Sequence, residues 1–168
     1  MKKYLLLTLF LSFGMLSFTT GQDYKFERTF IYNFTKYIQW PPSQQSGDFV
    51  IGVYGESPIY AQLELMAQSR TAGSQKFKIK KLSSVNEIKG LHMLFVPKAK
   101  NGEFDSILGK IGGNSTLVIT EGDGMAGKGS CINFIYIDGK PRFELNKGAA
   151  DKSKLKVSSE LMRLAILI

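Results

Sequence analysis

The sequence predicts a single α/β domain, in which a mixed β-sheet of about six strands carries helices on its faces. Between residues 49 and 120, apolar runs of strand and helix type follow one another in the order β-α-β-β-α-β. A hairpin signal, Asp138-Gly139 between two β-rich runs, adds two more strands. The chain has 168 residues, of which 43% are hydrophobic and 21% charged, so it can bury one core of ordinary composition.

Residues 1–21 have the pattern of a secretory signal peptide. Lys2 and Lys3 provide the positive start, and the apolar run of residues 4–18 is too short for a comfortable membrane span. Small residues follow this run and mark a cleavage site. The sequence therefore predicts an exported protein whose mature domain is residues 22–168, with an uncleaved anchor as the alternative.

A helix is predicted over residues 24–40. Phe26, Phe30 and Phe34 recur in steps of four and form one apolar stripe, which is typical of the face that a helix buries. Pro41-Pro42 are expected to end the helix.

The next elements are short apolar runs bounded by glycine, proline or polar residues. They are a strand at 49–54, a helix at 59–68, strands at 77–82 and 91–96, a helix at 104–111 and a strand at 116–120. Pro58 suits the first turn of its helix. In the strand at 77–82, apolar residues alternate with lysine, which indicates a half-exposed strand.

Residues 131–146 are predicted to form a β-hairpin. Asp138-Gly139 is a strong two-residue turn signal, because both positions need positive φ. The first arm is apolar on both faces, so we expect it inside the sheet and covered on both faces. Pro141 lacks an N–H donor, so the second arm should begin at an edge or outside the ladder. Residues 155–164 should pack back onto this hairpin.

The glycine-rich segment GDGMAGKG, residues 122–129, is the strongest candidate for nucleotide chemistry. It contains G-x-G-x-x-G, and Lys128 has the place of a phosphate-binding lysine. However, Gly129 stands where such loops need Ser or Thr, and the chain continues into a strand rather than a helix. We therefore interpret the segment as a loop joining two strands, and an enzyme using Lys128 is the minor alternative.

The sequence offers no catalytic or metal-ligating set. His92 is the only histidine and lies inside an apolar strand, so a structural role with a local hydrogen bond is expected. Cys131 is the only cysteine and begins the hairpin, so we expect it to be buried and reduced. We accordingly predict no enzyme activity, no cofactor and no metal.

The formal charge of +8 raises nucleic acid as a partner. The lysines occur singly or in pairs along the chain, which is typical of a solvated basic surface. Together with export, this distribution argues against nucleic-acid binding.

Several segments together resemble the YfiR-like periplasmic domain family. They are FERTFIYNFTKYIQWPP, FVIGVYGESPI, INF, the DGK turn, RFELN and LKVSSELMRLA. Their order and spacing match over residues 26–165, nearly the whole mature chain. The resemblance implies a small α/β domain in the periplasm of a Gram-negative bacterium, which acts as a regulator by protein–protein contact.

The resemblance also implies the class of partner. In the family, such a domain binds the periplasmic part of an inner-membrane signalling protein, best understood for a diguanylate cyclase that controls cyclic-di-GMP and biofilm formation. An outer-membrane lipoprotein can sequester the domain, and relatives can form homodimers. Relatives carry cysteine pairs that form disulfides, and the lone Cys131 cannot form one within this chain, so redox sensing is not expected to carry over.

Partner contacts are expected at residues of the types that anchor interfaces, although each also has a packing interpretation. These candidates are Trp40, Phe143, Glu144, Met162 and Arg163. Trp40, beside two prolines, is expected to be partly exposed at a helix end.

A small-ligand sensor is the alternative function. Ligands of α/β sheets bind at the carboxyl ends of strands, where the loops GESP, PKAKNG and EGDGMAG begin. Ser57, Asn101 and Asp123 would supply polar contacts if these loops converge on a concave pocket.

Overall fold

An eight-stranded mixed β-sheet is the centre of the protein. The computed structural model describes residues 23–168, so the signal peptide predicted for residues 1–21 lies outside the described part. The helices are α1 (Lys25–Tyr37), α2 (Ile59–Ala67), α3 (Phe104–Ile111), α4 (Lys147–Lys152) and α5 (Ser159–Leu164). Single 3₁₀ segments occur at Pro42–Gln44, Val85–Glu87 and Lys98–Glu103.

The strands are β1 (Ile38–Gln39), β2 (Phe49–Tyr54), β3 (Thr71–Ala72), β4 (Gln75–Leu82), β5 (Met93–Val96), β6 (Leu117–Glu121), β7 (Ile132–Ile137), β8 (Lys140–Leu145), β9 (Lys156–Val157) and β10 (Ile166–Leu167). The main sheet has the order β10-β8-β7-β6-β5-β2-β4-β3, and β1 pairs with β9 in a separate two-stranded sheet. The fold class predicted from the sequence, a single α/β domain with a mixed sheet, is confirmed. The sheet has eight strands rather than about six, because the two-residue strands β3 and β10 join its edges.

Five neighbouring strands of the sheet are parallel: β4, β2, β5, β6 and β7. When these five strands are numbered by their place in the chain, their order across the sheet is 2-1-3-4-5. This is one of the common strand orders of doubly wound α/β sheets. The connection from β2 leads to β4, toward one edge of the sheet. The connection from β5 leads to β6, toward the opposite edge. The winding of the chain therefore reverses between β2 and β5.

Helices cover both faces of the sheet. On one face α1 contacts α2, and the Phe34 ring lies 6.2 Å from that of Phe134 and 5.6 Å from that of Phe143. On the other face, α3 lies near Val118 of β6 and buries Phe104, Ile107 and Ile111. This arrangement follows from right-handed crossovers that run in opposite directions along the sheet.

The first helix ends earlier than the sequence predicts. It stops at Tyr37, because Ile38–Gln39 form β1 and pair with Lys156–Val157 near the other end of the chain. Trp40 consequently lies outside the helix. Its side chain is 5% exposed, and its Nε1–H donates to the backbone oxygen of His92 at 3.1 Å.

The predicted hairpin is confirmed, with one correction to its burial. Asp138 and Gly139 have φ values of 49° and 70° and connect β7 to the antiparallel β8. Strand β6 ends at Glu121, opposite Phe134, so the rest of β7 extends beyond its neighbour. Tyr136 and Ile137 are therefore 51% and 44% exposed, and the expectation that both faces of this arm are covered is wrong for its distal half.

None of the helices in residues 23–168 combines the length and the apolar composition that crossing a membrane requires.

Candidate functional site

The three loops that the sequence places at strand ends converge on one concave site. A cleft of about 390 Å³ lies between the turn after β2, the loop after β5, the loop after β6 and the distal half of β7. We call it the strand-end cleft. It opens where the winding of the sheet reverses, between β2 and β5, which is where open α/β sheets characteristically leave a crevice.

A buried carboxylate belongs to the wall of this cleft. Glu121, the last residue of β6, is 8% exposed. Its two carboxylate oxygens accept hydrogen bonds from the Tyr24 hydroxyl at 3.1 and 3.3 Å. The backbone N–H of Lys98 lies 3.4 Å from the same carboxylate. These donors offset part of the cost of burying a negative charge.

Burial and the negative charge of Glu121 raise the pKa of Tyr24 to about 12. A hydrogen bond with Ser57 acts in the opposite direction and lowers this pKa, which fits a Ser57 hydroxyl directed at the phenol oxygen. Ser57 also accepts from the backbone N–H of Ile59 at 3.4 Å, at the start of α2. The phenol of Tyr24 is therefore neutral at any physiological pH and holds its proton toward Glu121.

Two of the three ligand candidates from the sequence line the cleft, and the third supports its wall. Ser57 and Asp123 both line it. Asn101 lies behind the loop after β6, where its Nδ2–H donates to the backbone oxygen of Glu121 at 2.9 Å. A Cβ atom on Gly122, which has φ +107°, would lie only 3.2 Å from the Asn101 amide. Asn101 thus fixes the loop rather than facing the cleft.

Glu27 and Tyr136 form a second polar contact close to the cleft that the sequence analysis did not identify. Glu27 is completely buried on α1, and one of its carboxylate oxygens accepts from the Tyr136 hydroxyl at 3.2 Å. Tyr136 itself lines the cleft. This contact ties the protruding half of the hairpin to the first helix.

A second surface lies at the end of the described chain. The side chains of Leu164, Leu167 and Ile168 are more than half exposed, and Ile166 is 37% exposed. We call these four residues the C-terminal patch. They begin at Leu164, the last residue of α5, whose first turn is capped by Ser158, and they include the edge strand β10.

Three of the five predicted partner residues adjoin the C-terminal patch. Met162 is half-buried in α5, and Arg163 is exposed and lies 3.8 Å from Glu160. Glu144 of β8 stands opposite Ile166 of β10 and accepts a hydrogen bond from Asn133 at 2.7 Å.

The other two predicted partner residues are in the core. Phe143 is 2% exposed, and its ring lies 5.0 Å from that of Phe30. The Trp40 ring lies 4.9 Å from that of Phe49. Neither side chain reaches the surface of the described domain, so both have the packing role that was the alternative interpretation of their sequence positions.

His92 has the predicted structural role, but it lies just before β5 rather than inside the strand, and its hydrogen bonds reach distant residues rather than local ones. Its Nδ1 accepts from the backbone N–H of Val50 at 3.0 Å, and its Nε2 lies 2.8 Å from the carbonyl oxygen of Gln44. The second contact makes Nε2 the protonated nitrogen. Burial lowers the pKa of His92, so the ring is neutral and links two loops to the sheet.

Cys131 is buried, as predicted. Its Sγ lies 4.0 Å from the Ser153 Oγ, and burial raises the pKa of the thiol. Within residues 23–168, no three or more His, Cys, Asp or Glu side chains are grouped in a way that could hold a metal ion. The loop of residues 122–129 leads into β7 rather than into a helix, as the sequence indicates.

Comparison with known proteins identifies the family. No curated protein matches the chain significantly. The family model described as YfiR/HmsC-like, DUF4154, matches residues 24–166 and so covers α1 through the first residue of β10. This match confirms the resemblance that the sequence segments carry, and the chain belongs to the YfiR/HmsC-like family.

Proposed function

We propose that this protein is a periplasmic regulatory binding protein, which controls an inner-membrane signalling protein by direct contact. Two things support this proposal: its membership of a family of periplasmic regulators and the C-terminal patch. The patch is the observation that carries it, because apolar side chains that are exposed together on an edge strand are typical of interaction surfaces.

The backbone of β10 favours a partner that adds to the sheet. Ile168 donates its N–H inward to the carbonyl oxygen of Leu145 at 3.1 Å. Because backbone groups alternate in direction along a strand, the peptide groups of the neighbouring Leu167 face away from β8. The two-residue strand carries neither charge nor proline, the usual protections of an edge. A partner segment could therefore pair with this edge and cover Leu164 and Leu167.

Polar residues surround this apolar centre. Arg163 and Glu160 are exposed on α5, and Glu144 lies on the adjacent strand. An apolar centre with a polar rim is the usual composition of a specific interface. Glu144, Met162 and Arg163 are therefore the predicted partner residues that we retain.

Such a contact can regulate the partner without a catalysed reaction. If the domain binds the inactive state of its partner more tightly than the active state, the population shifts toward the inactive one. A membrane diguanylate cyclase is the first partner to test, because the family is associated with that class of enzyme, and cyclic-di-GMP and biofilm formation are then the cellular readouts. An outer-membrane lipoprotein is the second partner to test, as the component that would relieve the inhibition.

Capture from solubilised envelope tests the proposal. Residues 22–168 should enrich a membrane protein that has a periplasmic sensor region and a cytoplasmic signalling domain, and Leu167→Asp should abolish this enrichment. Leu65→Asp is a matched control, since Leu65 of α2 is 54% exposed and lies outside the patch. The proposal fails if no such protein is enriched, or if Leu167→Asp and Leu65→Asp behave alike.

Export itself is also testable. We propose that residues 1–21 are removed on secretion, so intact-mass analysis of the periplasmic protein should give a chain that begins at Gln22. A chain that retains these residues would support the anchored alternative.

Binding of a small ligand is a second candidate function, and the strand-end cleft supports it. The predicted loops do surround one concave site, and Ser57 and Asp123 line it. A screen of periplasmic small-molecule extract against the melting temperature of residues 22–168 tests this function in general. A fraction that raises the melting temperature supports it, and no effect from any fraction argues against it.

A further inference from the structure

The strand-end cleft occupies the position in the sheet where ligands bind in doubly wound α/β proteins. The chain leaves β2 and β5 in opposite directions, so the two following loops diverge and leave a crevice at the carboxyl ends of these strands. The volume of about 390 Å³ is within the range of natural small-molecule sites. Its position and its size thus make the cleft a candidate ligand site independently of its charges.

The charges of the cleft favour a cation. Glu56, Glu121 and Asp123 line it together with one basic residue, Lys98. Glu56 is ion-paired with Lys81, so the excess negative charge of the cleft rests on Glu121 and Asp123. This acidic wall contrasts with the formal charge of +8 of the whole chain. Glu121 is the buried member, and a charge held in a low-dielectric wall attracts an opposite charge more strongly than an exposed one does.

The rest of the cleft favours a flat apolar body attached to that cation. Tyr24 and Phe134 line the cleft beside Glu121, and Tyr136 lines it from the protruding half of the hairpin. Aromatic faces attract organic ammonium groups and pack against rings. A bare metal ion would not use these rings, and the described carboxylates are not grouped as metal ligands.

We propose that the strand-end cleft binds a small organic ammonium compound with an aromatic or similarly flat apolar body. The ammonium group lies against the carboxylates of Glu121 and Asp123, and the apolar body lies against the rings of Tyr24 and Tyr136. This inference rests on the second candidate function, small-ligand binding, and it specifies the class of ligand. It does not depend on the C-terminal patch, since none of the patch residues lines the cleft.

Three probes of matched shape and different charge test the inference. They are phenethylamine, which is a cation, 2-phenylethanol, which is neutral, and phenylacetate, which is an anion. Binding to residues 22–168 is measured by isothermal titration calorimetry, and the shift in melting temperature is the second readout. We expect saturable binding of phenethylamine, with weaker or no binding of the other two probes.

Variants place the binding in the cleft. Glu121→Gln should weaken phenethylamine binding about tenfold or more, because a charge-assisted hydrogen bond is replaced by a neutral one. Asp123→Asn should weaken it less, since Asp123 is exposed. Glu160→Gln is the control, an exposed acid on α5 outside the cleft, and it should leave the affinity unchanged.

If Glu121→Gln does not fold, Asp123→Asn keeps the test valid, because no hydrogen bond of the fold involves that carboxylate among residues 23–168. The inference is overturned if phenethylamine does not bind, or if it binds equally well to Asp123→Asn, Glu121→Gln and wild type. Preferential binding of phenylacetate or 2-phenylethanol would overturn the ammonium class while leaving a ligand site in the cleft.

Discussion

The hydroxyl of Tyr24 lies 3.1 and 3.3 Å from the two oxygens of the buried Glu121 carboxylate, and this contact can be isolated by a single substitution. Tyr24→Phe removes the hydroxyl and keeps the ring, which packs edge-on against Phe95. A hydrogen bond to a charged acceptor contributes about 1.5–3 kcal/mol. The variant should therefore unfold with a free energy about 2 kcal/mol below that of the wild type at pH 8.

The difference between the two proteins should shrink at high pH. The pKa of Tyr24 is raised from 10.0 to about 12 in the folded protein, so the folded state holds the phenol proton over this interval. The stabilisation is complete below pH 10 and is lost as the pH rises through 12. One pKa unit corresponds to about 1.4 kcal/mol, so the wild type should lose about 1.4 kcal/mol of this contribution by pH 11. Tyr24→Phe has no phenol proton at this position, so its free energy of unfolding does not change for this reason.

Urea unfolding of both proteins at pH 6, 8, 9 and 11, followed by fluorescence, measures this difference. Other tyrosines and the lysines also titrate near pH 11, but they are the same in both proteins and cancel in the comparison. The gap should be constant from pH 6 to 8 and narrow by about 1.4 kcal/mol at pH 11. A gap that is equal at pH 8 and pH 11 would refute the raised pKa of Tyr24, which burial and the charge of Glu121 together produce.

Two further substitutions test the packing of α1 on the sheet and the turn between β7 and β8. Phe34→Ala removes a completely buried ring that contacts Phe134 and Phe143. The free energy of unfolding should fall by about 3–5 kcal/mol. A decrease below about 1 kcal/mol would show that α1 is not part of the core. Gly139→Val introduces a β-branched residue at φ +70° and should cost about 1–3 kcal/mol. Gly109→Ala is the control, because Gly109 lies in α3 and a Cβ atom there would have open space around it. This variant should keep or raise the free energy of unfolding. Equal effects of Gly139→Val and Gly109→Ala would contradict the requirement for positive φ at the turn. Both effects are read from urea unfolding curves.

Local patterns predicted the fold well where local chemistry decides it. The turn at Asp138-Gly139 needs positive φ at two positions, and the sequence supplies residues that tolerate it. The end of the first helix depended on a distant part of the chain instead. Ile38–Gln39 are not helical because they pair as a strand with Lys156–Val157. The spacing of apolar residues along a helix contains no information about such a distant pairing. The edge strand β10 also depends on a distant partner, because it is a strand only through its pairing with Glu144 and Leu145 of β8.

The candidate site was predictable to the extent that sheet topology determines it. The loops after β2, β5 and β6 had to meet because parallel strands end at the same edge, so Ser57 and Asp123 could be named from their places in the sequence. Glu27 was also within reach, because Tyr24, Glu27, Ile31 and Phe34 follow the helical spacing of a buried face, and an acid at such a position signals a specific partner. Glu121 gave no such signal. It continues an apolar strand. Its role follows only from the hydroxyl of Tyr24, which caps α1 nearly a hundred residues earlier in the chain and contacts the Glu121 carboxylate.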